Sequence, residues 1–133
     1  MKLDRPSNID LFNDIAAEVF RELYERFPVA SEVDELEIQT KAFEGVAIPD
    51  GEAEDLVEET IKWLVLSGYI HRDKQGFMVL TLKGLEVLKS TPKAVSEPLG
   101  EQLRTAGAGA GKHVLRGVVD QILARGFDYM TGG

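Results

Sequence analysis

Cysteine is absent from the 133 residues, which removes disulfides, thiolate metal sites and cysteine nucleophiles together. Long apolar runs are missing too. None approaches the ~20 residues a membrane-spanning helix needs, and the opening MKLDRPSNID has no apolar stretch of signal-peptide length. The expectation is a soluble, cytoplasmic protein with no transmembrane segment. Positive charge is scarce, with 15 Lys and Arg against 23 Asp and Glu and a net charge of −8. A net anion is repelled by nucleic acid and anionic lipid alike, so binding to either needs a local basic patch. Only two histidines are present, His71 and His113, and they lie far apart without an H-E-x-x-H pattern around them. There is no G-x-S-x-G elbow and no internal repeat. These absences leave no catalytic residue, metal site or cofactor to assign, and a non-catalytic protein is expected.

What is present is unevenly spread. Residues 1–98 hold 20 acids and 11 bases, a balance of −9, whereas residues 99–133 hold 3 acids and 4 bases, a balance of +1. Pro92 and Pro98 bracket the change, and a Gly-Ala run from Gly107 to Gly111 follows. The expected organisation is an N-terminal arm over 1–8, one domain over 9–92, and a Gly-rich linker with an amphipathic C-terminal helix over 93–133. The length suits one domain with an appendage.

Apolar periodicity identifies the helices. Phe12, Ile15, Ala16, Val19, Phe20, Leu23, Tyr24 and Phe27 form one stripe from about Ile9, with Asn8 or Asp10 as cap and Pro28 as stop. The stretch from Ala30 to Ile48 is ambiguous. Leu36, Ile38 and Thr40 alternate as in a strand, while Leu36, Thr40 and Phe43 fit a helical face. After Pro49-Asp50-Gly51, the residues Leu56, Val57, Thr60, Ile61 and Leu64 make a second helical stripe, widened by Trp63 and Leu66 and ended by Gly68. Tyr69 to Arg72 and Phe77 to Leu80 read as a hairpin around Asp73-Lys74-Gln75-Gly76. Thr81 then caps a helix with Leu82, Leu85 and Leu88, although Gly84 occupies the place of a capping-box glutamate.

The run LVLSGYIHRDKQGFMVLTLKGLEVL, Leu64 to Leu88, resembles the third helix, wing and following helix of winged helix-turn-helix proteins. With the first helix included, the resemblance covers roughly residues 9 to 92. It implies an α+β, mostly α fold, a winged-helix domain with a small β-hairpin wing and a C-terminal helical extension. Ile70 and Phe77 are expected to fill the core beneath the wing. The resemblance also implies bases read by the third helix and phosphates held by the wing. The charge departs from that role. The third helix carries Glu52, Glu54, Asp55, Glu58 and Glu59 against Lys62, and phosphate binding works by counterion release to lysine and arginine. Glu52, Glu54 and Asp55 suit the positive end of the helix. Glu58 and Glu59 lie beyond it.

Two readings of function follow. The first is a protein-interaction module, binding a protein partner or itself as a homodimer. Its surface would comprise Glu54, Asp55, Glu58 and Glu59 together with the C-terminal stripe Val114, Leu115, Val118, Val119, Ile122 and Leu123. That stripe lies opposite Lys112, Arg116, Asp120, Gln121 and Arg125; docking onto its own domain or a twin subunit is its leading use. The alternative is a DNA-binding transcriptional regulator that holds phosphates through His71, Arg72, Lys74 and Lys83. The run TAGAGAGKH, Thr105 to His113, fails as a phosphate loop. Ala106 stands where the first glycine belongs, His113 where Ser or Thr belongs, and Lys112 breaks a dinucleotide fingerprint. Gly107 and Gly111 form a G-x-x-x-G pair, which would allow close helix approach if the segment were helical.

Overall fold

A computed structural model describes residues 6–91, 97–106 and 112–130. The chain runs α1 (Asn8–Arg26), β1 (Ser31–Glu32), α2 (Glu35–Ala42), α3 (Asp50–Leu66), β2 (Ile70–Arg72), β3 (Phe77–Leu80), α4 (Leu82–Lys89), α5 (Leu99–Ala106) and α6 (Lys112–Met130). It is an α+β fold, mostly helical, with one antiparallel sheet in the order β1-β3-β2. Among the described residues no helix is long and apolar enough to cross a membrane.

α1 is the axis of the molecule and packs against α2, α3, α5 and α6. Its cap is Ser7, whose Oγ accepts from the Asp10 amide at 3.1 Å, and not Asn8 or Asp10. A side-chain oxygen there satisfies an amide that has no carbonyl partner within the helix. Leu11, Ile15, Val19, Phe20 and Leu23 are buried, and so are Asn13, Asp14 and Glu18 on the flank that the apolar stripe leaves polar. Burial on both sides needs a second wall, which α6 supplies.

The ambiguous stretch holds a two-residue strand and a helix. Asp34 caps α2 by accepting from the Leu36 and Glu37 amides at 3.0 and 3.2 Å. Neither pattern read from the sequence is the buried one. Val33, Ile38, Ala42 and Phe43 enter the core, while Leu36 and Thr40 are exposed. The helix is only eight residues long, so its inner face is chosen by its neighbours rather than by its own weak periodicity.

The hairpin forms as expected, with Ile70 opposite Leu80 and Arg72 opposite Met78. The Asp73 carboxylate accepts from the Gln75 and Phe77 amides, both at 2.9 Å, and Gly76 closes the turn at φ +92°, where a side chain is disfavoured. Ile70 fills the core, but Phe77 does not. Alternation along β3 sends Met78 and Leu80 inward and leaves Phe77 exposed beside Glu32 of β1.

Thr81 caps α4 and accepts from the Gly84 amide at 3.0 Å. The missing capping-box glutamate has a steric cause. A Cβ on residue 84 would lie 2.2 Å from the Tyr69 carbonyl oxygen, so only glycine lets α4 sit against the start of the hairpin.

α5 occupies residues for which the sequence reading has a linker. Leu99 and Leu103, one turn apart, are completely buried, and α5 packs on α1, α4 and α6. The Leu99 amide donates to the Ser90 carbonyl at 2.9 Å, tying α5 to the end of α4. The Gly107 to Gly111 run lies outside the described residues, as do residues 1–5 of the arm. Beyond them α6 returns along α1 and also packs on α4 and α5.

Candidate functional site

The acidic helix α3 and the β2–β3 hairpin meet each other. Glu58 of α3 accepts from Arg72 of β2 at 3.2 Å, and both side chains are half-buried. Glu35, at the start of α2, faces the same pair. Burial, and after it the charge of Glu58, push the Glu35 carboxyl above its ordinary range. Its protonated form is therefore favoured by folding. The stabilisation is complete below the unfolded pKa of about 4.5 and is lost as the pH rises through the higher folded value. Glu35→Gln is expected to reduce that loss. Urea melts should show variant and parent closest near pH 4, with the variant gaining relative to the parent toward pH 7.

Lys83 is likewise engaged. Its Nζ donates to the Ser67 carbonyl at 2.6 Å and lies 4.3 Å from the centroid of the Tyr69 ring, where burial pulls its pKa down. Of the four residues assigned to phosphate contact, Arg72 and Lys83 are thus turned onto the protein, and His71 and Lys74 are exposed. On α3, Glu54, Asp55 and Glu59 are exposed, and Glu59 pairs with Lys62 at 3.3 Å.

The C-terminal stripe is spent inside the chain. Leu115, Val118, Val119 and Ile122 are buried in the common core, Leu123 is half-buried and Val114 exposed. The first four are therefore unavailable as a surface for another molecule. The polar side of α6 is not simply solvated either. Lys112 donates to the Ala42 and Glu44 carbonyls at 2.6 and 2.9 Å, at and just past the end of α2. Arg116 donates two hydrogen bonds to Asp14, at 2.8 and 2.9 Å, and Asn13 donates to Asp120 at 3.1 Å. Asp14 is only 2% exposed. Its hydrogen bond to Arg116 raises the arginine pKa further.

An apolar surface appears where the sequence reading placed core. Trp63 and Leu66, taken as widening the inner face of α3, are 43% and 85% exposed. Both lie well off the Val57-Ile61-Leu64 stripe, at 100° per residue, and that angular offset was the available signal. Trp63 meets Phe12 of α1 edge-on at 5.2 Å and stacks with Tyr69 at 6.5 Å. Ile9, one turn before Phe12, is exposed, and so is Leu66, one turn after Trp63. Tyr69 anchors the region from beneath. Its ring packs on Phe20 at 5.6 Å, and its hydroxyl lies against Gly126 of α6 so closely that a Cβ there would come within 1.8 Å. The next residue, Phe127, is exposed.

A polar cleft of about 600 Å³ opens on another side, lined by Asp14, Glu18, Arg21, Glu25, Glu44 and Lys112 among others. Several of its charges already have partners. Arg21 donates to Glu18, and Asp14 and Lys112 are engaged as described. Among the described residues no group of three His, Cys, Asp or Glu side chains is placed to hold a metal ion. In comparisons with protein-family models, curated proteins and solved structures, nothing matches this chain.

Proposed function

We propose that this chain is a winged-helix protein-interaction module without catalytic activity, which engages a protein partner through the surface around Trp63 and Leu66. The winged-helix reading is supported by the order of the elements. A short strand between the first two helices joins the sheet of a hairpin that follows the third, and β3 lies between β1 and β2. The interaction reading is carried by one observation, the exposure on α3 of Trp63, which sits edge-on against Phe12, and of Leu66 one turn further on. Contiguous exposed apolar surface is costly in water and marks binding sites, and a tryptophan held edge-on by a neighbour is the kind of rigid anchor on which binding energy concentrates. The engagement of Arg72 by Glu58 and of Lys83 by Ser67 weighs against phosphate contact, because a cation must give up those partners to meet DNA.

A photo-crosslinking residue placed at Leu66 in cells, with Glu86 as exposed control site, tests the reading. Discrete protein adducts are expected from position 66 and not from 86, and they should vanish when competed by excess parent protein but not by its Leu66→Glu variant. That variant should melt within about 0.5 kcal/mol of the parent, as surface substitutions do. Identical adduct patterns at both positions would overturn the reading. So would tight binding of duplex DNA at physiological salt that Lys74→Glu abolishes.

A further inference from the structure

We infer that the occupant of this surface is a basic amphipathic helix of a partner protein, laid along α3 with its apolar side on Trp63 and Leu66 and its lysines or arginines over Asp55 and Glu59. The inference rests on the interaction reading above and names the chemistry of the partner. Two independent features of α3 meet along one edge. Trp63 and Leu66 are exposed at its C-terminal end, and Glu59 and Asp55 are exposed one and two turns earlier, since residues four apart share a face. From Asp55 to Leu66 this edge is about 16 Å long at 1.5 Å per residue, roughly three helical turns, a length suited to i, i+3, i+4 anchors of an amphipathic helix.

Charge decides among the occupants such a face could take. α3 carries six acids and one lysine, and the chain has a net charge of −8. The lysine, Lys62, is already paired with Glu59. A second copy placed symmetrically on this face would set two acidic helices against each other, and an anionic membrane or nucleic acid would meet the same repulsion. A cationic helix satisfies the acids while covering the indole. Complementary charge steers encounter and selects partners, and the apolar anchors supply most of the binding energy.

The chain has a single tryptophan, and it sits at the centre of the surface, so its emission reports occupancy directly. Three peptides of about 18 residues, five helical turns, serve as probes: leucine and lysine at amphipathic helical spacing, the same pattern with glutamate for lysine, and oligolysine. The Leu/Lys peptide is expected to shift Trp63 emission to the blue saturably and to bind at least tenfold tighter than either of the others. Reversing Asp55 and Glu59 to lysine should lower its affinity at least tenfold, whereas reversing Glu25 and Glu44, exposed acids on the polar cleft, should change it less than threefold. Equal binding of the Leu/Glu peptide would overturn the cationic partner while leaving an interaction surface. Equal binding of oligolysine, or equal sensitivity to the two charge reversals, would show that net charge alone is being read and would overturn the inference. Concentration-dependent dimers abolished by Leu66→Glu, with no peptide response, would assign the face to a second copy. No response from any peptide, together with no crosslink from position 66, would remove both this inference and the interaction reading.

Discussion

Arg116→Met is expected to destabilise the protein by about 3 kcal/mol, the low end of the range for breaking a buried ion pair, read as a fall of about 10 °C in melting temperature for a domain of this size. The variant keeps most of the side chain's apolar stem but leaves Asp14, 2% exposed, without the guanidinium that donates to both its oxygens. A carboxylate in that position must stay ionised without its charge partner or take up a proton, and either costs free energy. The low end applies because Arg116 is 23% exposed and water can reach part of the vacated site. The informative companion is the double replacement Asp14→Leu with Arg116→Met. Removing both charges leaves no unpaired buried carboxylate at this contact, and such exchanges are often neutral or stabilising, so the double variant should recover most of the loss. If the double variant melts as low as the single one, the pair matters through packing rather than charge. If the single variant melts like the parent, α6 is not held to α1 by this contact.

Gly84→Ala is expected to cost about 3 kcal/mol, the upper end for inserting one methyl group into a packed region. The atom it meets is a backbone carbonyl oxygen, that of Tyr69, at 2.2 Å, and a backbone atom has no rotamer through which to retreat. Relief requires α4 to move away from the start of the hairpin. The same movement disturbs Thr81, whose hydroxyl donates to the Gly68 and Tyr69 carbonyls while accepting from the Gly84 amide. In an open helix alanine would instead stabilise by about 1 kcal/mol relative to glycine, so the sign of the measured change separates close approach from mere helix propensity. Gly117 supplies the control, because a Cβ there meets nothing within 4 Å. Chemical denaturation of Gly84→Ala and Gly117→Ala should therefore give shifts of opposite sign.

Much of the fold was legible because its signals are local. The α1 helix, the α3 helix, the hairpin around Gly76 and the Thr81 cap each depend on residues within a few positions of one another and form where their spacing predicts, although Phe27 of the first stripe and Trp63 and Leu66 of the second are exposed. What escaped depends on distant neighbours. α5 has only two large buried residues, Leu99 and Leu103, too few to stand out as a stripe, and its burial comes from α1, α4 and α6. The inner face of α2 followed the same rule, since Ile38 and Ala42 are buried by packing that its own sequence does not announce. Phe77 and Met78 show how little separates the two faces of a strand. With a period of two, moving the inward set by one residue exchanges core for surface, and apolar content alone did not say which of these adjacent residues points in.

The candidate surface was hidden for a related reason. Trp63 and Leu66 are apolar, and an apolar residue on a helix is assigned to the core by default. Only the position of α1 shows that the core side of α3 is already filled by Ala53, Val57, Ile61 and Leu64, which leaves Leu66 outside. Arg72 and Lys83 carry the opposite lesson. Their charge suggested outward contact, yet Glu58 and the Ser67 carbonyl lie within hydrogen-bond reach and hold them.

By itself the sequence determined the helices with strong stripes, the hairpin, the absence of thiol chemistry and the anionic balance, since spacing and composition act without reference to the rest of the chain. The tertiary structure alone decided which apolar side chains are left over and which charges are already paired, because both depend on what arrives from elsewhere in the chain: α6 against Asp14, β2 against Glu58, and no helix among the described residues against Leu66.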